Sequence, residues 1–181
     1  MTGTLRRTGG PFTVEDYNRL PEGAPYVLVG GHLVMTPSPT LGHQSIVARL
    51  IQILDPRARE RGGRAVPDLD TWLEENSVVR PDLVVLLGEH ASQLDIPRRR
   101  PTLAIEIVSP SNREYDHGAK WEAYRRAGLA EIWRLDPESE SVTIQRPGRE
   151  DAVHHDRVSP QFAPDLEIDL PALFGDVRGL F

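Results

Sequence analysis

The sequence contains no cysteine, which excludes a disulfide scaffold, a thiolate metal site and a cysteine nucleophile. It also lacks an apolar run of about eighteen residues, the length that a membrane-spanning helix needs. Residues 1–11 have no hydrophobic stretch of the kind found in signal peptides. We therefore expect a soluble cytoplasmic protein without membrane contact, with residues 1–11 flexible.

Length and composition predict one domain. The 181 residues are enough to bury a proper core, and no repeat, linker or low-complexity tract divides them. We interpret residues 1–181 as a single α+β domain with a mixed central sheet flanked by helices. Thr13 should cap a short helix that ends before Pro21, and a long helix from Leu41 to Arg61 should cover the sheet. Strands are expected near residues 26–29, 32–36, 64–66, 71–73, 82–87, 103–108, 131–135, 142–145 and 166–168.

The net charge of −6 disfavours a broad nucleic-acid-binding surface, because phosphate contacts rely on lysine and arginine. Positive charge is nevertheless grouped in a few places. Solvated surface charge is the favoured interpretation of these groups, and a phosphate track is the alternative. The arginines concerned are Arg57, Arg59, Arg61 and Arg64, the run Arg98 to Arg100, and the pair Arg125 and Arg126.

Two carboxylates fall on apolar strands. Asp82 follows Pro81 at the entrance of a β-branched run, where a proline is tolerated. In the next strand, period-two alternation separates Glu106 from Ile105 and Ile107, which face the other side. A buried carboxylate must be neutralised, paired or bound to a metal, because desolvating an isolated charge is unfavourable. We therefore expect a cation to face Glu106.

Lys120 is the natural cation. It belongs to a predicted helix with Asp116 near its N-cap and Gly128 as its C-terminal stop. Lys120 lies on the inward face of this helix, in the first turn, where the helix dipole disfavours a cation. An anionic partner is therefore expected, and Glu106 with Asp82 would supply it. The trio is either a reaction centre or a buried salt-bridge network.

These residues, in this order, resemble the Uma family of restriction-endonuclease-like proteins, in the PD-(D/E)XK nuclease superfamily. The resemblance implies that Asp82 and Glu106 hold Mg²⁺ and that Lys120 helps to activate the attacking water. It also implies DNA as the substrate and a homodimer as the assembly. The matching segments are Phe12 to Leu20, Gly31 to Pro39, His43, Pro81-Asp82, Glu106 to Ser111, Asp116 to Lys120, Gly128, Glu131 to Pro137 and Leu166 to Phe174.

Two positions depart from the superfamily pattern. Val108 stands where the superfamily lysine usually lies, and Lys120 on the following helix takes that place, as in the Uma family. Val27 stands where relatives usually carry an acidic residue. The protein then either works with one metal ion or is catalytically impaired, acting as a nucleic-acid-binding or interaction module.

Mg²⁺ prefers hard oxygen ligands, so the two carboxylates and the backbone carbonyl of Ile107 would suffice, with Mn²⁺ as a substitute ion. His43 falls on the inward face of the long helix, near its N-terminus, and has two interpretations. It either approaches the metal site or a phosphate, or is a hydrogen-bonded core histidine. We predict a Mg²⁺-dependent endodeoxyribonuclease.

Overall fold

The computed structural model describes residues 4–5, 11–36, 38–88, 100–108 and 118–181. The helices are α1 (Val14–Asn18), α2 (Leu41–Arg59), α3 (Ala119–Ala127) and α4 (Leu170–Gly175). The strands are β1 (Thr4–Leu5), β2 (Tyr26–Val29), β3 (His32–Met35), β4 (Arg64–Pro67), β5 (Thr71–Glu74), β6 (Ser77–Val79), β7 (Leu83–Leu86), β8 (Leu103–Ile107), β9 (Ile132–Asp136), β10 (Ser141–Gln145), β11 (Ala152–His154), β12 (Arg157–Val158) and β13 (Ile168–Asp169).

The strands form a six-stranded sheet in the order β11-β10-β9-β8-β7-β4, which we call the central sheet. It is mixed, as predicted, because β8 and β9 pair in parallel while their outer neighbours are antiparallel. The strands nearer the N-terminus form a five-stranded sheet in the order β1-β3-β2-β6-β5, and β12 pairs with β13. The fold is therefore α+β with a mixed central sheet flanked by helices, and a second sheet stands beside it.

Alternation along β8 places its side chains on two different faces, as the sequence predicts. Leu103, Ile105 and Ile107 pack in the apolar cluster that includes the buried face of α2. Ala104 belongs to a second cluster, with the buried residues of α3 and with Val27 of β2. Glu106 shares the parity of Ala104, and its side chain therefore lies on the α3 face of the central sheet.

The element boundaries differ from the predicted ones in several places. The helix α2 ends at Arg59 rather than Arg61, and Asp82 lies just before β7 instead of inside a strand. The strand predicted at residues 166–168 is reduced to Ile168–Asp169. Four strands, β1, β6, β11 and β12, and the helix α4 were not predicted, because each is short and is held by pairing or packing rather than by a local pattern.

The helix α3 begins at Ala119, with Gly118 as its N-cap, and its last turn ends at Gly128, which has a left-handed φ of 65°. The hydrogen bond from the Leu129 amide to the Tyr124 carbonyl completes the predicted glycine stop. Asp116, most of the loop of residues 88–101 and the turn after β8 lie outside the described residues. None of the described helices combines the length and the apolar character that crossing a bilayer requires.

Candidate active site

Asp82 lies at the carboxyl end of β8. Its Oδ2 accepts a hydrogen bond of 2.6 Å from the Ile107 amide and lies 3.2 Å from Nε2 of His43. The register explains this position, because Leu83 pairs with Ile105 and the antiparallel strands bring the preceding Asp82 level with Glu106. Since β7 begins only at Leu83, the Asp82 carboxylate takes the place of a strand carbonyl for the Ile107 amide.

Glu106 is 4% exposed and has two hydrogen-bond donors from α3. Its Oε2 lies 2.6 Å from Nζ of Lys120, and its Oε1 accepts a hydrogen bond from the Tyr124 hydroxyl. Lys120 and Tyr124 are four residues apart, so they share one face of the helix. The cation that the sequence predicts opposite Glu106 is therefore in place. Tyr124 was not among the residues assigned to the site from the sequence, and its spacing of four residues from Lys120 is the signal that would have indicated its contact with Glu106.

The Lys120 ammonium joins two parts of the site. Besides Glu106, Nζ donates a hydrogen bond of 3.3 Å to the carbonyl of Arg80, two residues before Asp82. Lys120 is 6% exposed. It is the one lysine among the 21 lysine and arginine residues of the sequence, and the others are all arginines. An ammonium is a compact point charge with rotatable donors, whereas a guanidinium is a larger planar fork, so the two are not interchangeable here.

His43 also reaches the site. It lies in the first turn of α2, where its amide donates to Oγ1 of the capping residue Thr40, and it is 8% exposed. The contact between Nε2 and Asp82 shows that the histidine is directed at the carboxylate that was predicted to bind metal. This contact agrees with both interpretations of His43. It would orient Asp82 as a metal ligand, and it would also give the buried imidazole a hydrogen-bond partner.

Asp68 was missed by the sequence interpretation. It lies between β4 and β5, where its amide donates to the Asp82 carbonyl at 3.4 Å and its φ is 49°. Burial raises the pKa of Asp68, and the nearby Asp82 carboxylate raises it further, while Arg80 and other cations oppose the rise. No local pattern indicates this neighbour, because it depends on the pairing of Pro67 with Leu83 across β4 and β7.

Val27 is fully buried on β2, in the apolar cluster that contains Trp121, Ala123 and Tyr124 of α3. The position at which relatives were expected to carry an acid is therefore an apolar core position. Glu106 takes its hydrogen bonds from Lys120 and Tyr124 of α3 and not from β2. A carboxylate at position 27 would lie in that apolar cluster and would need a partner there.

Five of the described arginines in these groups form ion pairs with acidic side chains, while Arg100 donates to the Ala127 carbonyl. The residues described here make ion pairs between Arg57 and Glu60, Arg59 and Asp55, Arg61 and Asp165, Arg125 and Asp151, and Arg126 and Glu74. Such pairs reduce the local excess of positive charge. They favour solvated surface charge over a phosphate track, while Arg98 and Arg99 lie outside the described residues.

The residues expected to hold a metal ion at the end of β8 are Asp82, Glu106 and Ile107, and both carboxylate oxygens of Glu106 accept hydrogen bonds from α3. In the described ranges, no three His, Cys, Asp or Glu side chains are grouped so that they could hold a metal ion. The expected ligands are two carboxylates and one backbone carbonyl. This set contains only two side chains of the types named, so it is smaller than such a group. Both contacts of Asp82 involve Oδ2. Oxygen ligands of this kind, completed by water, are those that Mg²⁺ prefers.

The architecture places the protein in a known class of folds. A solved structure from Anabaena variabilis, described as a "putative nuclease belonging to DUF820", superposes with a TM-score of 0.81. The superposition covers 91% of this chain and 98% of the other, at 24% sequence identity. The fold is therefore restriction-endonuclease-like. No curated protein sequence matches this chain.

The family follows from the sequence match over almost the whole fold. Residues 14–174 match the model of the Uma2 family, which is described as "Putative restriction endonuclease". The chain belongs to the Uma2 family, in agreement with the resemblance seen in its motifs. The match includes all of the residues brought together at the end of β8.

Proposed function

We propose that the protein is a Mg²⁺-dependent endonuclease that hydrolyses phosphodiester bonds in DNA. The observation that carries this proposal is the Lys120 ammonium, which is bonded both to Glu106 and to the segment that leads into Asp82. Two acids and one cation of the types needed for phosphodiester hydrolysis thus lie at one end of β8. The family membership supports the reaction class.

Each residue has an assigned role in this proposal. Asp82, Glu106 and the Ile107 carbonyl would hold Mg²⁺. The ion would supply Lewis-acid stabilisation of the phosphate charge and a more acidic water. Lys120 would orient the attacking water and stabilise the negative charge that develops on the phosphate. His43 would hold Asp82 in position through its contact with Oδ2.

The alternative is a nuclease fold that binds nucleic acid or a protein without turnover. Two observations favour it: the apolar surroundings of Val27, and the ion pairs that occupy much of the arginine charge. The buried pair of Glu106 and Lys120 is also compatible with a purely structural role, since broken buried pairs destabilise proteins whether or not they catalyse.

Nicking of supercoiled plasmid tests the proposal. Purified protein is incubated with Mg²⁺, Mn²⁺ or EDTA, beside Asp82→Ala and Lys120→Ala variants prepared in the same way. Metal-dependent nicking that both variants lose supports the endonuclease. Wild-type protein that binds the ion but cuts neither single- nor double-stranded DNA or RNA supports the inactive alternative.

A homodimer is the assembly that accompanies the proposal, since superfamily members that cut both strands of a duplex commonly act in pairs. A closed pair would present two copies of the site, related by a twofold axis, to the two strands. Light scattering at micromolar concentration tests this assembly. A mass of one chain, 20.2 kDa, would reject it, and twice that mass would support it.

A further inference from the structure

Arg80 directly follows β6 of the five-stranded sheet, and side chains from neighbouring segments hold its guanidinium. Its Nε lies 2.7 Å from Oδ1 of Asp70, and its Nη2 lies 3.4 Å from the Tyr17 hydroxyl. The same hydroxyl lies within hydrogen-bond distance of two acceptors for its one proton, Oδ2 of Asp70 at 3.1 Å and the Tyr26 carbonyl at 3.2 Å. Three chain segments, α1, the connection before β5 and the residue after β6, therefore meet at one guanidinium.

The backbone of the same residue enters the candidate active site. The Arg80 carbonyl accepts the hydrogen bond from Lys120, and the two residues that follow are Pro81 and Asp82. A residue before proline is restricted to extended conformations, so the direction of this carbonyl depends on few torsions. A second hydrogen bond, from the Asp68 amide to the Asp82 carbonyl at 3.4 Å, also holds the segment from Arg80 to Asp82.

The network is half-buried, and the pKa values of its Tyr17 and Arg80 side chains are raised. Burial and the neighbouring Asp70 raise the pKa of Tyr17 to about 12, so its hydroxyl stays protonated at neutral pH. The hydrogen bond to Asp70 raises the pKa of Arg80 further above its ordinary value. The side chains of Arg80 and Asp70 are 25% and 33% exposed, so the pair is partly shielded from solvent.

We infer that Arg80 is a positioning residue for Lys120, and that Asp70 and Tyr17 hold it in that role. The guanidinium, fixed by Asp70 and Tyr17, sets the position of the Arg80 carbonyl. That carbonyl holds the ammonium at a second point beside Glu106. This inference rests on the proposed function, because it names the residues through which the second sheet orients the proposed catalytic lysine.

The consequence is a defined kinetic pattern. When Asp70 loses its charge, Lys120 remains bonded to Glu106, but its second point of attachment is less rigid. We expect Asp70→Asn to lower kcat roughly tenfold, the lower end of the effects seen for residues that orient a ligand from behind. KM should stay within about twofold, because neither Asp70 nor Arg80 is assigned to substrate binding.

A double-mutant cycle then separates positioning from general stability. In a Lys120→Ala background, Asp70→Asn should cause no further loss of activity.

A spectroscopic test uses the fact that Lys120 is the one lysine of the chain. Protein labelled with ¹⁵N-lysine gives a single side-chain ammonium signal, so its chemical shift reports on Lys120 alone, without any need for activity. The variants are Asp70→Asn and, as an independent perturbation of the same network, Tyr17→Phe. The matched control is Glu140→Gln, which removes an exposed ion pair with Arg178 held by contacts of 2.6 and 2.8 Å.

We expect the Lys120 signal to shift in both network variants and to stay in place in Glu140→Gln. An unchanged signal in folded Asp70→Asn and Tyr17→Phe would overturn the inference, and so would additive losses of kcat in the double-mutant cycle. The two levels of the proposal fail differently. Wild-type protein that cuts no nucleic acid would reject the endonuclease, while the ammonium signal would still decide whether Arg80 positions Lys120.

Discussion

Two buried glutamates lie at opposite ends of the parallel pair β8 and β9. Glu131, just before β9, is 1% exposed and accepts hydrogen bonds from Arg146, the Trp133 indole and the Gln161 amide, with distances between 2.5 and 3.1 Å. Glu106, at the other end of β8, is bonded to Lys120 and Tyr124. Both acids satisfy the requirement that a buried carboxylate has a partner.

The difference lies in what surrounds each pair. The donors to Glu131 come from other segments of the same chain and occupy both of its oxygens, as the donors from α3 do for Glu106. Glu106 has the Asp82 carboxylate level with it across β7 and β8, and His43 is directed at Asp82. Burial alone therefore does not distinguish a reaction site. A second acid beside the first, with one ammonium between their chain segments, is what distinguishes the Glu106 end.

The strongest way to break this comparison is to remove Asp82. We expect Asp82→Ala to abolish metal-dependent nicking, because the ion would lose one of its two carboxylate ligands. Glu131→Gln, prepared in parallel, should keep its cleavage rate per folded molecule. The measurement is the initial nicking rate of each protein, normalised to the folded fraction seen by circular dichroism. Equal losses in the two variants would remove the distinction between the two glutamates.

Removing the ammonium should have the next largest effect. We expect Lys120→Ala to lower cleavage about a hundredfold while metal binding is largely kept, the scale of losing one preorganised electrostatic donor. In either role, its removal leaves the buried Glu106 carboxylate without its cation and lowers the free energy of unfolding by about 3–5 kcal/mol. The nicking rate per folded molecule, with the folded fraction taken from urea denaturation of the same sample, therefore separates a catalytic Lys120 from a structural one.

The mirror experiment at the other end of the sheet concerns stability. Arg146→Ala removes two donors from Glu131 and should lower the free energy of unfolding by about 3–5 kcal/mol, because the glutamate stays buried without its cation. Cleavage by the folded fraction should be unchanged. A loss of kcat in fully folded Arg146→Ala would show that the Glu131 end also serves the reaction.

Substitution of Val27 tests whether a carboxylate at this position would restore cleavage. Val27→Glu places a carboxylate in the apolar cluster of α3 and should lower stability by roughly 1–3 kcal/mol unless the new group finds a partner. Thermal unfolding measures this loss, and Val27→Gln controls for size. If the wild type binds metal without cutting, regained nicking in Val27→Glu would place the defect at this position.

The smallest expected effect is the pH dependence contributed by Asp68. Its pKa is raised in the folded protein, so the charged form is disfavoured there, and Asp68 destabilises the fold once pH exceeds its ordinary pKa of about 4. Asp68→Asn should therefore raise stability slightly at pH 7, and the gain should vanish as pH falls below about 4. Urea denaturation at both pH values measures it. A gain that persists at low pH would mean that charge is not the cause.

The pairing of Glu106 with Lys120 could be predicted from the sequence because each residue is placed by a local rule. Period-two alternation assigns Glu106 to one face of β8, and the helical repeat assigns Lys120 to the inward face of α3. Asp82 lies at the same end of β8, in the turn before β7 rather than in the strand itself, and its sharing of an ion with Glu106 stays a prediction. These assignments needed only the order of the elements and the direction of their side chains.

The remaining neighbours depend on contacts between distant segments. Asp68 reaches Asp82 only because β4 pairs with β7, and Arg80 reaches Tyr17 only because α1 packs against the five-stranded sheet. The contact between His43 and Asp82 depends on how α2 crosses the central sheet. Register and packing of this kind follow from the whole fold, so a local pattern cannot supply them.

A titration with Mn²⁺ followed by calorimetry tests the central claim most directly. Three proteins are compared: the wild type, Asp82→Asn and Glu131→Gln, each checked for folding by circular dichroism. The predicted result is saturable binding to the wild type and to Glu131→Gln, with no measurable binding to Asp82→Asn. Binding that survives in Asp82→Asn, or an absence of binding in the wild type, would contradict the assignment of the metal to the end of β8.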